Sequence, residues 1–107
     1  MDIITSHSNP KIKLARSLRQ RKARQESGLF LLEGLFHLGE ALAQPDPRVE
    51  YLCYAPERLP AGGYGEQLVA RATVAGIPCY PTSAEVLAGL ADKDNLQGVV
   101  AVARQQL

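Results

Sequence analysis

Apolar positions along this chain alternate between short continuous runs and stripes at helical spacing. Leu29-Phe30-Leu31-Leu32 is one such run, of a length that suits a strand buried on both faces. Glu33-Gly34 closes it, and Leu35, Leu38, Gly39 and Leu42 then share one helical face. Strand, tight turn and helix in this order form the opening half of a βαβ unit. Gln44-Pro45-Asp46-Pro47 reads as a turn, followed by a strand from Val49 to Ala55 with Tyr51, Cys53 and Ala55 on one face. After the Leu59–Gly63 loop, the spacing predicts a helix over Gly65–Ala75, with Leu68, Val69, Ala72 and Ala75 inward and Gly76 as its C′ residue. Ile77-Pro78-Cys79-Tyr80-Pro81 is a short strand whose prolines place it at an edge. Thr82-Ser83-Ala84-Glu85 reads as a capping box that opens a helix carrying Val86, Leu87 and Leu90. A polar loop, Asp92-Lys93-Asp94-Asn95, leads to a last apolar strand over Gly98–Ala103. Alternating elements of this kind predict an α/β domain with a mainly parallel four-stranded sheet and helices on both faces.

The first residues follow a different pattern. Ile3-Ile4-Thr5-Ser6 is an extended lead-in, and Asn9-Pro10 starts a helix with Asn at the N-cap and Pro at N1. Leu14, Ala15 and Leu18 make its narrow apolar seam. Lys13, Arg16, Arg19 and Arg24 cover the opposite half, while Arg21 and Lys22 flank the seam, so the last turn is expected to protrude or fray.

Charge changes the picture of this segment. The whole chain carries +1, but residues 1–24 hold seven basic residues (Lys11, Lys13, Arg16, Arg19, Arg21, Lys22, Arg24) against Asp2, a net +6. The remainder has five basic and ten acidic residues, a net −5. Three readings compete: a surface for an anionic partner, a solvated helix face, and an Arg-rich presequence, which Pro10 disfavours.

With 107 residues, 46% apolar and 21% charged, the chain suits one globular domain. No run approaches the ~18 apolar residues of a membrane span, and no secretory h-region follows Met1. Cys53 and Cys79 each lie in a short apolar run without a CxxC partner or clustered His, the pattern of free thiols in a cytoplasmic protein rather than of a metal site. Nor do catalytic residues stand out: neither His has a Ser or Cys placed as nucleophile, and no carboxylate pair appears. Gly34–Gly39 fits neither GxGxxG nor a Walker A loop, and Gly63-Tyr64-Gly65 lacks a third glycine.

Several residues carry a functional reading beside a structural one. Glu33 is placed to accept from a ribose 2′-hydroxyl or an exocyclic amine, or from loop N–H groups. Gly34 is a turn residue needing an angle that only Gly adopts cheaply. His37 lies off the apolar helix face beside Glu40 and either touches RNA or a neighbouring domain, or is an ordinary exposed His. Asn95 and Gln97, before the turn residue Gly98, either bond base edges or close that turn. Tyr64 is a candidate stacking residue or simply packs down.

NPKIKLARSLRQRKARQESGLFLLEG, followed by a helix ending in Glu40-Ala41-Leu42, resembles the start of the SpoU/TrmH family of RNA ribose methyltransferases. KDNLQGVVAVA resembles the closing strand of that family's small N-terminal domain. Leu96 and Leu35-Phe36 depart from the pattern. The resemblance implies a three-layer α/β/α sandwich like that of ribosomal proteins and kink-turn RNA binders, with a basic N-terminal helix added. It implies a basic extension over 1–27, an RNA-binding domain over 28–104, and at 105–107 the start of a linker to a catalytic domain that this chain lacks. RNA contacts are then expected from Lys11, Lys13, Arg16, Arg19, Arg21, Lys22, Arg24, Glu33, His37, Asn95 and Gln97. S-adenosylmethionine and homodimerisation would belong to the catalytic domain, and the chain itself would hold ribosomal or transfer RNA without catalysis. A freestanding ribosomal or kink-turn binder, and a protein-interaction domain docking through the basic helix, stand as alternatives.

Overall fold

The computed structural model describes residues 2–91 and 97–105. The Asp92–Asn95 loop lies outside the described residues. The elements run α1 (Pro10–Ser17), α2 (Arg21–Ser27), β1 (Leu29–Glu33), α3 (Leu35–Leu42), β2 (Val49–Tyr54), a 3₁₀ turn (Pro56–Arg58), α4 (Tyr64–Val74), β3 (Cys79–Pro81), α5 (Ala84–Ala88) and β4 (Val99–Arg104).

Four strands form one sheet in the order β1-β4-β2-β3. β2 and β3 are parallel, but β4 runs antiparallel to both of its neighbours. The sheet is therefore mixed, which corrects the mainly parallel sheet expected from alternating elements. The reason lies in the last connection. Pro81 and Val99 both sit opposite Tyr54, so β4 begins at the end of the sheet where β3 stops. α5 has five residues, about 8 Å of helix, too short to carry the chain back across the sheet. α3 and α4, with eight and eleven residues, make full crossovers, and the strands they join share a direction.

Side-chain alternation along the strands feeds two cores. Tyr51, Cys53, Val100 and Val102 pack with Ile12, Ala15 and Leu18 of the N-terminal helix and with Val86, Leu87 and Leu90. On the other face, Leu52, Val99 and Ala101 pack with Leu38, Leu68 and Ala72. These are the three layers. α3 and α4 approach closely at Gly39, where a Cβ would run into the Tyr64 hydroxyl. The Tyr64 hydroxyl thus lies against α3, while the residue is 52% exposed.

The basic segment is two helices rather than one. α1 ends at Leu18, and Gln20 is extended (φ −93°, ψ 131°) before α2 begins. Arg24 Nη1 donates to the Leu18 carbonyl at 2.9 Å, satisfying an acceptor that the break exposes. The buried seam is Ile12, Ala15 and Leu18, whereas Leu14 is 37% exposed. Asn9 is the N-cap as its position predicts, its side chain accepting from Lys11 N at 2.9 Å.

A further correction concerns the cap of α5, while β3 lies at the edge of the sheet as its prolines predict. Ser83, not Thr82, caps α5, accepting from Val86 N at 3.2 Å. Thr82 is buried, and Glu57 of the 3₁₀ turn, rather than Glu85, accepts from Ala84 N at 2.6 Å. Ile4 bridges Thr82, with Ile4 N donating to Pro81 O and Ser83 N donating to Ile4 O. The N-terminal lead-in thereby covers the outer edge of β3.

Candidate nucleic-acid interface

The seven cations near the N-terminus have distinct roles. Lys13, Arg16 and Arg21 are exposed, and their side chains have no ion-pair or hydrogen-bond partner among the described residues. Lys22 pairs with Glu26 at 3.8 Å, one turn along α2. Arg19 Nη1 donates to the Gly89 carbonyl at 3.3 Å, and Arg24 is committed to Leu18. Lys11 places its ammonium 5.0 Å from the Tyr51 ring centre and 5.8 Å from that of Tyr80. Tyr51 in turn donates its hydroxyl proton to the Lys11 carbonyl at 2.7 Å. Lys11 therefore ties α1 to the sheet, Arg19 ties it to the end of α5, and Arg24 ties α2 to α1.

A second group of residues meets at the end of β1. Gly34 takes φ 90° and ψ 160°, a region essentially reserved for glycine. Its N–H faces Val99 O at 3.5 Å, and Leu35 N donates to Gln97 Oε1 at 2.7 Å. The turn after β1 is tied to the entry of β4, so Glu33, Gly34, Gln97 and Gly98 come together although Gln97 stands 62 positions after Leu35. Gln97 satisfies an N–H at the start of α3, a partner that local turn-reading did not anticipate. Gly98 has φ 85°, as a turn glycine should. His37 is exposed and lies edge-on to the Phe36 ring, with centroids 5.6 Å apart. Asn95 lies outside the described residues.

Two grooves connect these groups along β1, an edge strand of the sheet. One, of about 430 Å³, is lined by Leu18, Arg19, Arg24, Phe30, Leu31, Glu33 and Leu90. The other, of about 410 Å³, is lined by Phe30, Leu31, Leu32, Glu33 and His37. They share Phe30, Leu31 and Glu33, so a continuous track leads from the basic helices to the start of α3.

Phe36, edge-on to His37, is an exposed aromatic that sequence reasoning did not single out. It is 69% exposed, and its signal was an aromatic at a solvent-facing position between Leu35 and Leu38. The thiols offer no chemistry here. Burial pushes Cys53 up to about 12, with Cys79 adding to the effect, and burial raises Cys79 as well. Among the described residues no group of three His, Cys, Asp or Glu could hold a metal ion, and no helix is long and apolar enough to cross a membrane.

Residues 9–101 match the sequence profile of a family described as the MRM3-like substrate binding domain. An uncharacterized tRNA/rRNA methyltransferase of Synechocystis is 38% identical over 101 residues, covering 92% of this chain and 34% of that protein. The crystal structure of an rRNA methyltransferase from Sinorhizobium meliloti superposes with a TM-score of 0.73 at 29% identity, over 98% of this chain and 37% of that one. A structure of AdoMet-bound rRNA methyltransferase from the same bacterium gives 0.72 with the same identity and coverage. A crystal structure of an RNA 2′-O ribose methyltransferase gives 0.70 at 28% identity, covering 98% of this chain and 38% of its own. The chain thus spans little more than a third of the length of the proteins it matches.

Proposed function

This chain belongs to the MRM3-like substrate binding domain family, and on that footing we propose that it holds structured RNA, ribosomal or transfer, for a ribose 2′-O-methyltransferase of the SpoU/TrmH type acting in the cytoplasm. The observation that carries this reading is the basic end of the track along β1, lined by Arg19 and Arg24, on helices that also carry the exposed cations Lys13, Arg16 and Arg21. Phosphates are held by the cations, which position the RNA without reading its sequence. The end of β1, with Glu33, His37 and Gln97, faces bases and riboses. Lys22 and Arg24 border the same surface.

S-adenosylmethionine, which supplies the methyl group in such enzymes, is assigned in this reading to residues outside those described. A Cβ on Gly98 would lie 2.8 Å from Leu59 Cδ2, and one on Gly65 would lie 2.7 Å from Leu59 and 3.3 Å from Leu35. Leu59 thus fills the space directly beside Gly65 and Gly98. In this reading the cofactor, the reacting groups and the homodimer contact all belong to a separate catalytic domain.

The test is the salt dependence of binding to a stem-loop RNA. Each phosphate-bound cation contributes about one unit to the slope of log affinity against log salt. Replacing Arg16 and Arg21 together by Gln is expected to flatten the slope by about two units. Replacing Arg48, which pairs with Asp46 at 3.8 Å, together with Arg58 is expected to leave it unchanged. Equal effects from both double variants, or none from either, would move the RNA surface elsewhere.

A further inference from the structure

We propose that Phe36 is a stacking platform for one unpaired nucleotide, with Gln97 donating to the edge of the same base. This deepens the RNA-binding reading and rests on it. Phe36 is 69% exposed, a state that leaves most of its apolar area in water and a flat π-face available. Its edge-on contact with His37 holds the ring from one side. Leu35, its chain neighbour, donates its N–H to Gln97 at 2.7 Å. That N–H can only donate, so the Gln97 atom it meets is the carbonyl oxygen. The amide NH₂ is therefore turned away from the Leu35 N–H and keeps its two donors at the start of α3, one residue along the chain from Phe36.

The occupant follows from the surroundings. The track lined by Arg19 and Arg24 at one end reaches Glu33 and His37 at the other, so a backbone held at the basic helices is led to the Phe36 ring. Bases in a duplex have both faces covered, whereas a loop or bulge nucleotide has a face to give. The ring therefore selects single-stranded elements, and Gln97 favours a base that shows an acceptor.

The experiment compares binding of the chain to a stem-loop RNA carrying 2-aminopurine in its loop and to a blunt duplex of equal charge. Phe36→Ala is expected to weaken stem-loop binding roughly tenfold, within the range for one stacked base. It should abolish quenching of 2-aminopurine and leave duplex binding and the salt slope unchanged. Phe36→Trp is expected to retain both affinity and quenching. If Phe36→Leu also retains them, the contact is merely apolar and stacking is overturned. If Phe36→Ala changes nothing while the wild type still binds the stem-loop, the ring serves a protein partner, and this proposal fails while the RNA reading stands. If the wild type binds neither RNA, the RNA reading itself fails and takes this inference with it.

Discussion

At Gly34 the chain adopts φ 90° and ψ 160°, a conformation in which any side chain meets the backbone. Gly34→Ala is expected to cost about 1–3 kcal/mol, a sizeable share of a total of about 5–15 kcal/mol. A thermal melt checks it, and an unchanged midpoint would mean the turn relaxes without the glycine. Cys53 sets a second expectation at this scale. Its thiol is pushed from 9.0 up to about 12, chiefly by burial, and Cys79 and Tyr51 shift the same way, also chiefly by burial. Above an ordinary thiol value the unfolded chain releases protons that the folded chain keeps, so stability falls as pH rises. That contribution is fully present below about pH 8.5 and is lost progressively towards 12. Denaturant titrations at successive pH values should show the decline, and Cys53→Ala should shrink it whatever it does to absolute stability.

Among the elements, α1 and α2 carry charges that differ in purpose. Arg24→Ala is expected to destabilise by about 1–2 kcal/mol, since the Leu18 carbonyl loses its partner. Arg16→Ala, on an exposed face, is expected to stay within about 0.5 kcal/mol of wild type. Equal losses for the two in denaturant unfolding would mean that the helix break does not depend on Arg24. The α3–α4 contact gives another test. Gly39→Ala drives a methyl into the Tyr64 hydroxyl and is expected to cost about 1–3 kcal/mol. Tyr64→Phe in the same chain should recover part of that loss, since it removes the atom in the way.

For the molecule as a whole, the division between binding and chemistry is the point to probe. Isothermal titration of the chain with S-adenosylmethionine is expected to show no micromolar binding, because neither glycine-rich stretch fits a nucleotide-binding loop. Micromolar affinity would instead place a cofactor site within these residues. The acidic remainder of the chain contributes to the binding geometry too. Arg104 is held by Asp46 at 3.7 Å and Glu50 at 3.5 Å, and Arg48 by Asp46, so those cations are already neutralised. The N-terminal helices hold the largest concentration of positive charge in the chain.

What local spacing encodes, the sequence by itself determined: where elements lie, which face of each is apolar, and where charge gathers. The N-cap at Asn9, the inward Leu68 and Ala72, and the shared face of Tyr51 and Cys53 all follow from period and propensity, which act within a few residues. The basic segment and the motif around Glu33-Gly34 were legible for the same reason. Strand direction is not a local property. An apolar run such as Val99–Val102 reads alike in either direction, so only packing showed that β4 inserts antiparallel between β1 and β2. The break between α1 and α2 depends on Arg24 reaching Leu18, the cap of α5 on Glu57, and the cover over β3 on Ile4. The meeting of Gln97 with Leu35, and with it the surface beside Phe36, joins residues 62 positions apart. Each of these contacts exists because the two cores have already brought the partners together, and no periodicity in the chain records that.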